Sequence, residues 1–143
     1  KKIGIIYQQD NLLPDFTALE NVYLAGLSGG NNIEMSKSKA KNLLRKVGLL
    51  NRSGHYPSEL SGGERSRVAV ARALINKPAI ILADEPSGNL DEANADILIN
   101  LFQKINREFE QSIVIATHDK KIASIGNKNF ILNKGSLSLS DII

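Results

Sequence analysis

Leu60-Ser61-Gly62-Gly63-Glu64, running on into Arg65-Ser66-Arg67-Val68-Ala69-Val70-Ala71-Arg72-Ala73-Leu74, is followed past Pro78 by Ile80-Ile81-Leu82-Ala83-Asp84-Glu85-Pro86. Ser61 with Glu64 three residues on is a capping-box pattern, and it predicts a helix over 61–76 with Val68, Ala71, Leu74 and Ile75 on its apolar face. A cap needs neither Gly62 nor Gly63, and glycines weaken a helix. Their use is to let another group come close to the backbone amides. Free N–H groups at the positive end of a helix dipole suit a phosphate. Ala79 to Ala83 is a nearly unbroken apolar run, the pattern of a strand covered on both sides of a parallel sheet. Such a strand delivers Asp84 and Glu85 to its C-terminal end, where ligands bind in open α/β sheets.

The same letters occur earlier, as Leu27-Ser28-Gly29-Gly30, but Asn31-Asn32-Ile33 follow and no helix starts at once, so that copy reads as a loop. Ile3 to Tyr7 reads as a buried strand ended by Gln8-Gln9-Asp10-Asn11, with Pro14 confirming the break. A short helix is predicted over 17–26, capped by Thr17 with Glu20. Another is predicted over 36–47, with Ala40, Leu43, Leu44 and Val47 on one face and Gly48 closing it. Downstream come a long amphipathic helix over 91–109 carrying Ile97, Leu98, Leu101, Phe102, Ile105 and Phe109, and a buried strand over 113–116. A short helix over 120–125 and a hairpin about Lys134-Gly135 complete the chain. Strands alternating with helices mean an α/β sheet, with the helical block between the first two strands as an inserted lobe.

Three strand ends carry polar side chains suited to one chemistry. Asp84 offers an oxygen to Mg2+, which prefers such ligands and keeps waters. Glu85 points elsewhere and can take a proton from an attacking water. His118, after the strand over 113–116, can hydrogen-bond a γ-phosphate or that water. Gln8 ends the first strand at the same rim with an amide for metal or water. Asp84 and Glu85 by themselves fit a pair of solvated acids equally well; the glycine motif beside them favours chemistry. His55, in a polar loop, reads as a bystander.

The composition excludes several classes. No cysteine is present, so there is no disulfide framework and no thiolate metal site. No apolar run approaches the roughly 20 residues that span a bilayer. The net charge of +3 comes from lysines and arginines scattered along helix faces, and the seven aromatics are not interleaved with them. Nucleic-acid binding is therefore not indicated. A phosphate-cradling G-x-x-x-x-G-K-[ST] loop is found nowhere in the 143 residues.

Five motifs in order resemble those of the ATP-binding-cassette (ABC) ATPase family, over essentially the whole chain. Residues 5–9 (IIYQQ) look like the Q-loop, 60–64 (LSGGE) like the signature motif and 80–85 like Walker B. Residues 87–91 look like the D-loop and 116–119 (ATHD) like the histidine switch. The stretches 12–22, 58–65 and 83–91 resemble the LolD-type, lipoprotein-releasing subfamily and its relatives in macrolide export and cell division. Ser66 departs from the glutamine usual there, and Ser87 replaces threonine.

The resemblance implies a partial P-loop NTPase (RecA-like) parallel sheet with an inserted helical subdomain. Residues 1–9 would be core strand and Q-loop, 10–77 the helical signature subdomain and 78–143 the remaining core. It implies Glu85 as general base, Asp84 as the Mg2+ residue, His118 as γ-phosphate sensor and Gln8 as the metal–water contact. Ser61, Gly62 and Gly63 would bind the γ-phosphate of ATP held by a second ATPase subunit in a head-to-tail dimer, and Asp91 would communicate across that interface. Residues 9–22 would receive the coupling helices of integral membrane permease subunits at the cytoplasmic face of the inner membrane.

The chain opens on Lys1-Lys2 without a methionine, on a strand already in progress, which reads as a piece of a longer protein. Without a P-loop this piece is expected to hydrolyse no ATP alone. The leading expectation is the ATPase subunit of an exporter; the alternatives are a non-catalytic partner lending its signature motif, and a soluble ABC ATPase of nucleic-acid metabolism.

Overall fold

Residues 2–140 are described by a computed structural model. Strands β1 (Ile3–Ile6), β2 (Ile80–Asp84) and β3 (Ser112–Ala116) form a parallel sheet in that spatial order. Ile5 pairs with Leu82, and Leu82 with Val114. Between β1 and β2 lie α1 (Ala18–Ser28), α2 (Ile33–Lys46), two short 3-10 turns and α3 (Gly62–Leu74). Helix α4 (Glu92–Phe109) links β2 to β3, and α5 (Lys120–Ser124) leads to the hairpin β4 (Asn129–Asn133) and β5 (Ser136–Ser140). The hairpin turns on Lys134 and Gly135, both at positive φ (46° and 81°), the geometry of a two-residue loop whose twist matches its strands.

Local signals set the helix starts. Thr17 and Ser61 both form complete capping boxes, with Glu20 and Glu64. Asn32 caps α2 by accepting from the Met35 amide, so that helix begins three residues before the expected Ser36. Its apolar face is as expected: Ala40, Leu44 and Val47 are buried, and Gly48 follows at φ 76°. Ser28-Gly29-Gly30 closes a helix rather than opening one, with Gly29 as the C-cap of α1.

Ile81 and Ala83 of β2, with Ile6 of β1, share one core with Val68, Val70 and Leu74 of α3 and Leu98, Phe102 and Ile105 of α4. Helix α3 reaches the sheet at its C-terminal end. A side chain at Gly4 would meet the Ala73 carbonyl at 2.7 Å, so only glycine lets strand and helix come so close.

The expectations of buried strands and one helix position need correction: β1 buries only Gly4 and Ile6, and no residue of β3 is fully buried. The strand over 80–84 is covered on one face only among the described residues. Ile3, Ile5, Leu82 and Val114 lie side by side on the other face and are all exposed, Val114 at 54%. An unbroken apolar run reports an apolar environment for both faces, but these helices pack on one. On α4, Ile97 is not part of the core face: it is 47% exposed while its neighbour Leu98 is 1% exposed.

Candidate functional site

Glu85 sits at the first position past β2, in a left-handed conformation (φ 41°) that a non-glycine residue adopts only when held there. Its amide donates to the Ala116 carbonyl at 2.9 Å. Its carboxylate accepts from the Thr117 hydroxyl at 3.1 Å and the His118 amide at 3.0 Å, and lies 2.7 Å from His118 Nδ1. The end of β3 thus turns the Glu85 carboxylate toward its own strand end. Thr117 in turn accepts from the Asp119 amide, and Asp119 accepts from the Ser87 hydroxyl at 3.3 Å. Asp84, the residue before, is exposed at the same strand end.

These contacts set the charge states. The Glu85 carboxyl is held below the usual carboxylate range, chiefly by the side-chain hydrogen bond from His118 and also by Thr117. The His118 imidazole is raised above its ordinary value, chiefly by the same bond. A lowered carboxylate contributes above its unfolded value and loses that contribution as pH falls through its folded pKa. A raised imidazole contributes below its unfolded value and loses it as pH rises through its folded pKa. The pair is therefore fully formed between those two folded values. We expect the His118 ring resonances to titrate above the ordinary imidazole midpoint of about 6.5, and Glu85→Gln to bring the midpoint back down. Equal midpoints in the two proteins would refute the pairing.

The other expected residues form a second group. Ser61 caps α3, its hydroxyl accepting from the Glu64 amide while its own amide donates to the Glu64 carboxylate at 2.8 Å. Helix geometry leaves the Gly62 and Gly63 amides without intrahelical acceptors. The glycines differ in their surroundings. A Cβ on Gly62 meets nothing nearer than 3.8 Å, so its outer side is open to a ligand. At Gly63 a Cβ would run into the Asn94 side-chain amide, so this glycine is required by packing inside the chain. The close approach at Gly63 is thus made by Asn94 of the same chain, while the space beside Gly62 is open. Gly63→Val should destabilise the protein by about 1–3 kcal/mol, because the branch must displace Asn94 or the helix. A thermal melt unchanged from wild type would contradict that contact.

Asn94 connects this group to the next. Asp91 caps α4, accepting from the Asn94 backbone and side-chain amides at 2.8 and 2.9 Å. The Asp91 carboxyl is lowered chiefly by the Asn94 amide. Gln8, exposed past the end of β1, packs its side-chain amide over Gly88, and its carbonyl accepts from Asn89 at 3.2 Å. Gln8, Gly62 and Asn89 line one cavity of about 340 Å3 with Asp10, Asn11, Arg65 and Leu90. Among the described residues no hydrogen bond or ion pair joins Ser61, Gly62 or Gly63 directly to Asp84, Glu85 or His118. The loop 87–91 spans them, touching Asp119 at one end and Gln8 and Asn94 along its length.

The contact geometry involves residues to which motif reading gave no role: Thr117, Asp119, Asn94, Arg65 and Arg72. Two signals for them were available. Thr117 directly precedes His118, and Arg65 and Arg72 stand seven apart, on one face of a helix. His55 lies apart, its ring beside Arg52.

The profile of the ABC transporter family matches residues 1–88. The chain belongs to the ABC transporter family. It is 50% identical over 133 residues to the lipoprotein-releasing system ATP-binding protein LolD of Cytophaga hutchinsonii, covering 93% of this chain and 61% of that protein. It is 50% identical over 135 residues to LolD of Treponema denticola, covering 94% and 60%. This ABC chain thus spans about three-fifths of the length of the curated relatives it matches. Among solved structures it resembles a dimeric post-hydrolysis state of the ATP-binding cassette MJ0796 bound to ADP and Pi. That match has a TM-score of 0.81 and 38% identity over 97% of this chain and 63% of that one. A putative metal-chelate type ABC transporter in an inward-facing conformation matches with a TM-score of 0.87 and 27% identity, covering 98% and 58%. The α/β parallel sheet with its helices is the fold of ABC ATPase cassettes.

Proposed function

We propose that the full-length protein is the ATP-hydrolysing subunit of an ABC transporter of the lipoprotein-release or a related export type. In this reading residues 1–9 are core strand and Q-loop, 10–77 the helical signature subdomain and 78–143 core. The observation that carries it is the Glu85 carboxylate, kept ionised and aimed by Thr117 and His118 at the C-terminal end of a parallel strand. An ionised carboxylate there is a general base for water attacking a phosphoryl group. A protonated His118 can give its Nδ1 proton to the Glu85 bond while Nε2 donates to a γ-phosphate oxygen. The raised imidazole pKa favours that form.

In the complete protein the Gly62 and Gly63 amides, with Ser61, would contact the γ-phosphate of ATP bound to a second subunit, and Asp91 would sit at that junction. Among the described residues no group of three or more His, Cys, Asp or Glu side chains is arranged to hold a metal. Asp84, and Gln8 through its amide oxygen, would hold Mg2+ arriving with phosphates, where the ion would neutralise charge on them. The 143 residues carry no P-loop, and in this reading they hydrolyse no ATP alone.

No helix among the described residues is long and apolar enough to cross a membrane. The protein would work at the cytoplasmic face of the inner membrane, held by integral permease subunits. The loop before α1 exposes Leu13 and Phe16, while the buried Asn21 side chain fixes the loop backbone by donating to the Leu13 and Phe16 carbonyls. That gives coupling helices an apolar, pre-shaped landing.

The test is to express the full-length protein with its candidate permease subunits and reconstitute them. Co-purification with ATP-dependent release of a lipoprotein from proteoliposomes is the expected result. Stable capture by the permease with no turnover would favour the non-catalytic partner. No permease capture, with strongly salt-dependent affinity for DNA or RNA, would favour the soluble nucleic-acid ATPase.

A further inference from the structure

Helix α3 does more than present its amide end. Two of its arginines, seven residues apart and so on one face, hold the segment that follows Gln8. Arg72 donates Nη1 to the Asn11 carbonyl and Nη2 to the Asp10 carbonyl, both at 2.6 Å. Arg65 donates Nε to the Asp10 carboxylate at 2.9 Å and Nη1 to the Leu60 carbonyl at 2.8 Å. Arg72 is half-buried, and that burial lowers its pKa while the nearby Asp10 charge opposes it. A half-buried guanidinium that spends its fork on two neighbouring backbone carbonyls fixes those carbonyls more firmly than a point charge would.

What it holds is a turn that needs holding. Asn11 is in the left-handed region at φ 47°. Both of the carbonyls gripped by Arg72 flank that residue's turn, and Arg65 grips the side chain of the residue before it. Between this turn and the start of α3 lies the 340 Å3 cavity. Close packing does not weld the two segments together there; the guanidinium groups bridge them. Arg65 is the shorter bridge. One fork touches the residue just before Ser61 and the residue two past Gln8.

We propose that Arg65 and Arg72 are positioning residues that lock the Asp10–Asn11 turn to α3, so that Gln8 and the Ser61–Gly63 amides move as one unit. The inference rests on the function proposed above for the kinetic part of its test. The mechanical part stands without it. Asn89 adds a tether from the 87–91 loop to Gln8, so the unit also abuts the residues behind Glu85.

The test uses the full-length protein with Arg72→Gln, Arg72→Lys and Arg65→Gln. Each is examined by amide hydrogen exchange and by steady-state ATP turnover. Arg72→Gln should raise exchange at the bonded amides of both segments, Leu12 in 8–12 and Ser61 and Glu64 in 61–64, and lower kcat about ten- to a hundredfold while KM for ATP stays within about twofold. Arg72→Lys should recover only part of kcat, because one ammonium cannot reproduce a fork onto two carbonyls. Arg65 is about one-third exposed at its side chain, so Arg65→Gln leaves the core intact should Arg72→Gln fold poorly. It should show the same paired rise in exchange.

Faster exchange confined to 8–12, with 61–64 unchanged, overturns the proposal. So does a wild-type kcat in a variant whose exchange has risen in both segments. A full-length wild-type protein that turns over no ATP defeats the functional reading, and the exchange pattern still decides the coupling.

Discussion

Replacing Glu85 with glutamine should lower steady-state ATP hydrolysis by the full-length protein about 10²–10⁴-fold, the range expected when a general base is removed. The substitution is nearly isosteric. Its side-chain oxygen can still accept from the Thr117 hydroxyl or the His118 amide, so the left-handed turn at residue 85 keeps part of its support. What it loses is the ability to take a proton and the negative charge that raises the His118 pKa. In the proposed function the phosphate contacts of Gln8, Asp84 and the α3 amides need neither, and only the His118 contact is weakened. Nucleotide affinity should therefore stay close to wild type, and ATP should accumulate unhydrolysed on the protein. Phosphate release measured beside nucleotide binding separates the two effects. Turnover within tenfold of wild type, at unchanged affinity, would remove Glu85 from the base role and return it to a structural one at the strand end.

The second large effect is on stability. Phe102 is the largest of the fully buried side chains, 2% exposed, and lies in the core shared by α3, α4 and the sheet. Phe102→Ala should cost about 3–5 kcal/mol through lost burial and the cavity left behind. Against a total of about 5–15 kcal/mol, that removes a large share of a small domain's stability. The control lies five residues away on the same helix. Ile97 is 47% exposed, so Ile97→Ala should change stability by no more than about 0.5 kcal/mol. Urea titrations of the two variants check the pair. Comparable losses would mean that the apolar face of α4 has been placed wrongly, since helical periodicity alone puts both residues near that face.

Ile97 also shows where reading the sequence stops. Five of the six apolar residues expected on that face meet the core, Phe109 at its margin, where Lys46 of α2 stands 4.0 Å over its ring. The sixth is at the edge of the stripe, and only the width of the covering surface determines whether an edge position is wet. The bare face of the sheet has the same origin. Ile3, Ile5, Leu82 and Val114 have the composition of a doubly covered strand set, yet coverage depends on what packs above them.

The elements themselves were written locally. Capping boxes at Thr17 and Ser61, the Gly48 stop, the Lys134-Gly135 turn and the acids at the end of β2 depend on residues within a few positions of each other. The order of the five motifs needed no coordinates, and with it came family, fold and the roster of candidate residues. Tertiary structure decided how those residues are connected. It paired Glu85 with His118 across 33 positions, set Gly63 against Asn94, and laid Arg72 over a turn 61 residues away. Caps, turns and periodicity arise from backbone geometry that neighbours share along the chain. Hydrogen bonds between side chains far apart in sequence depend on angles and distances that exist only once sheet and helices have packed.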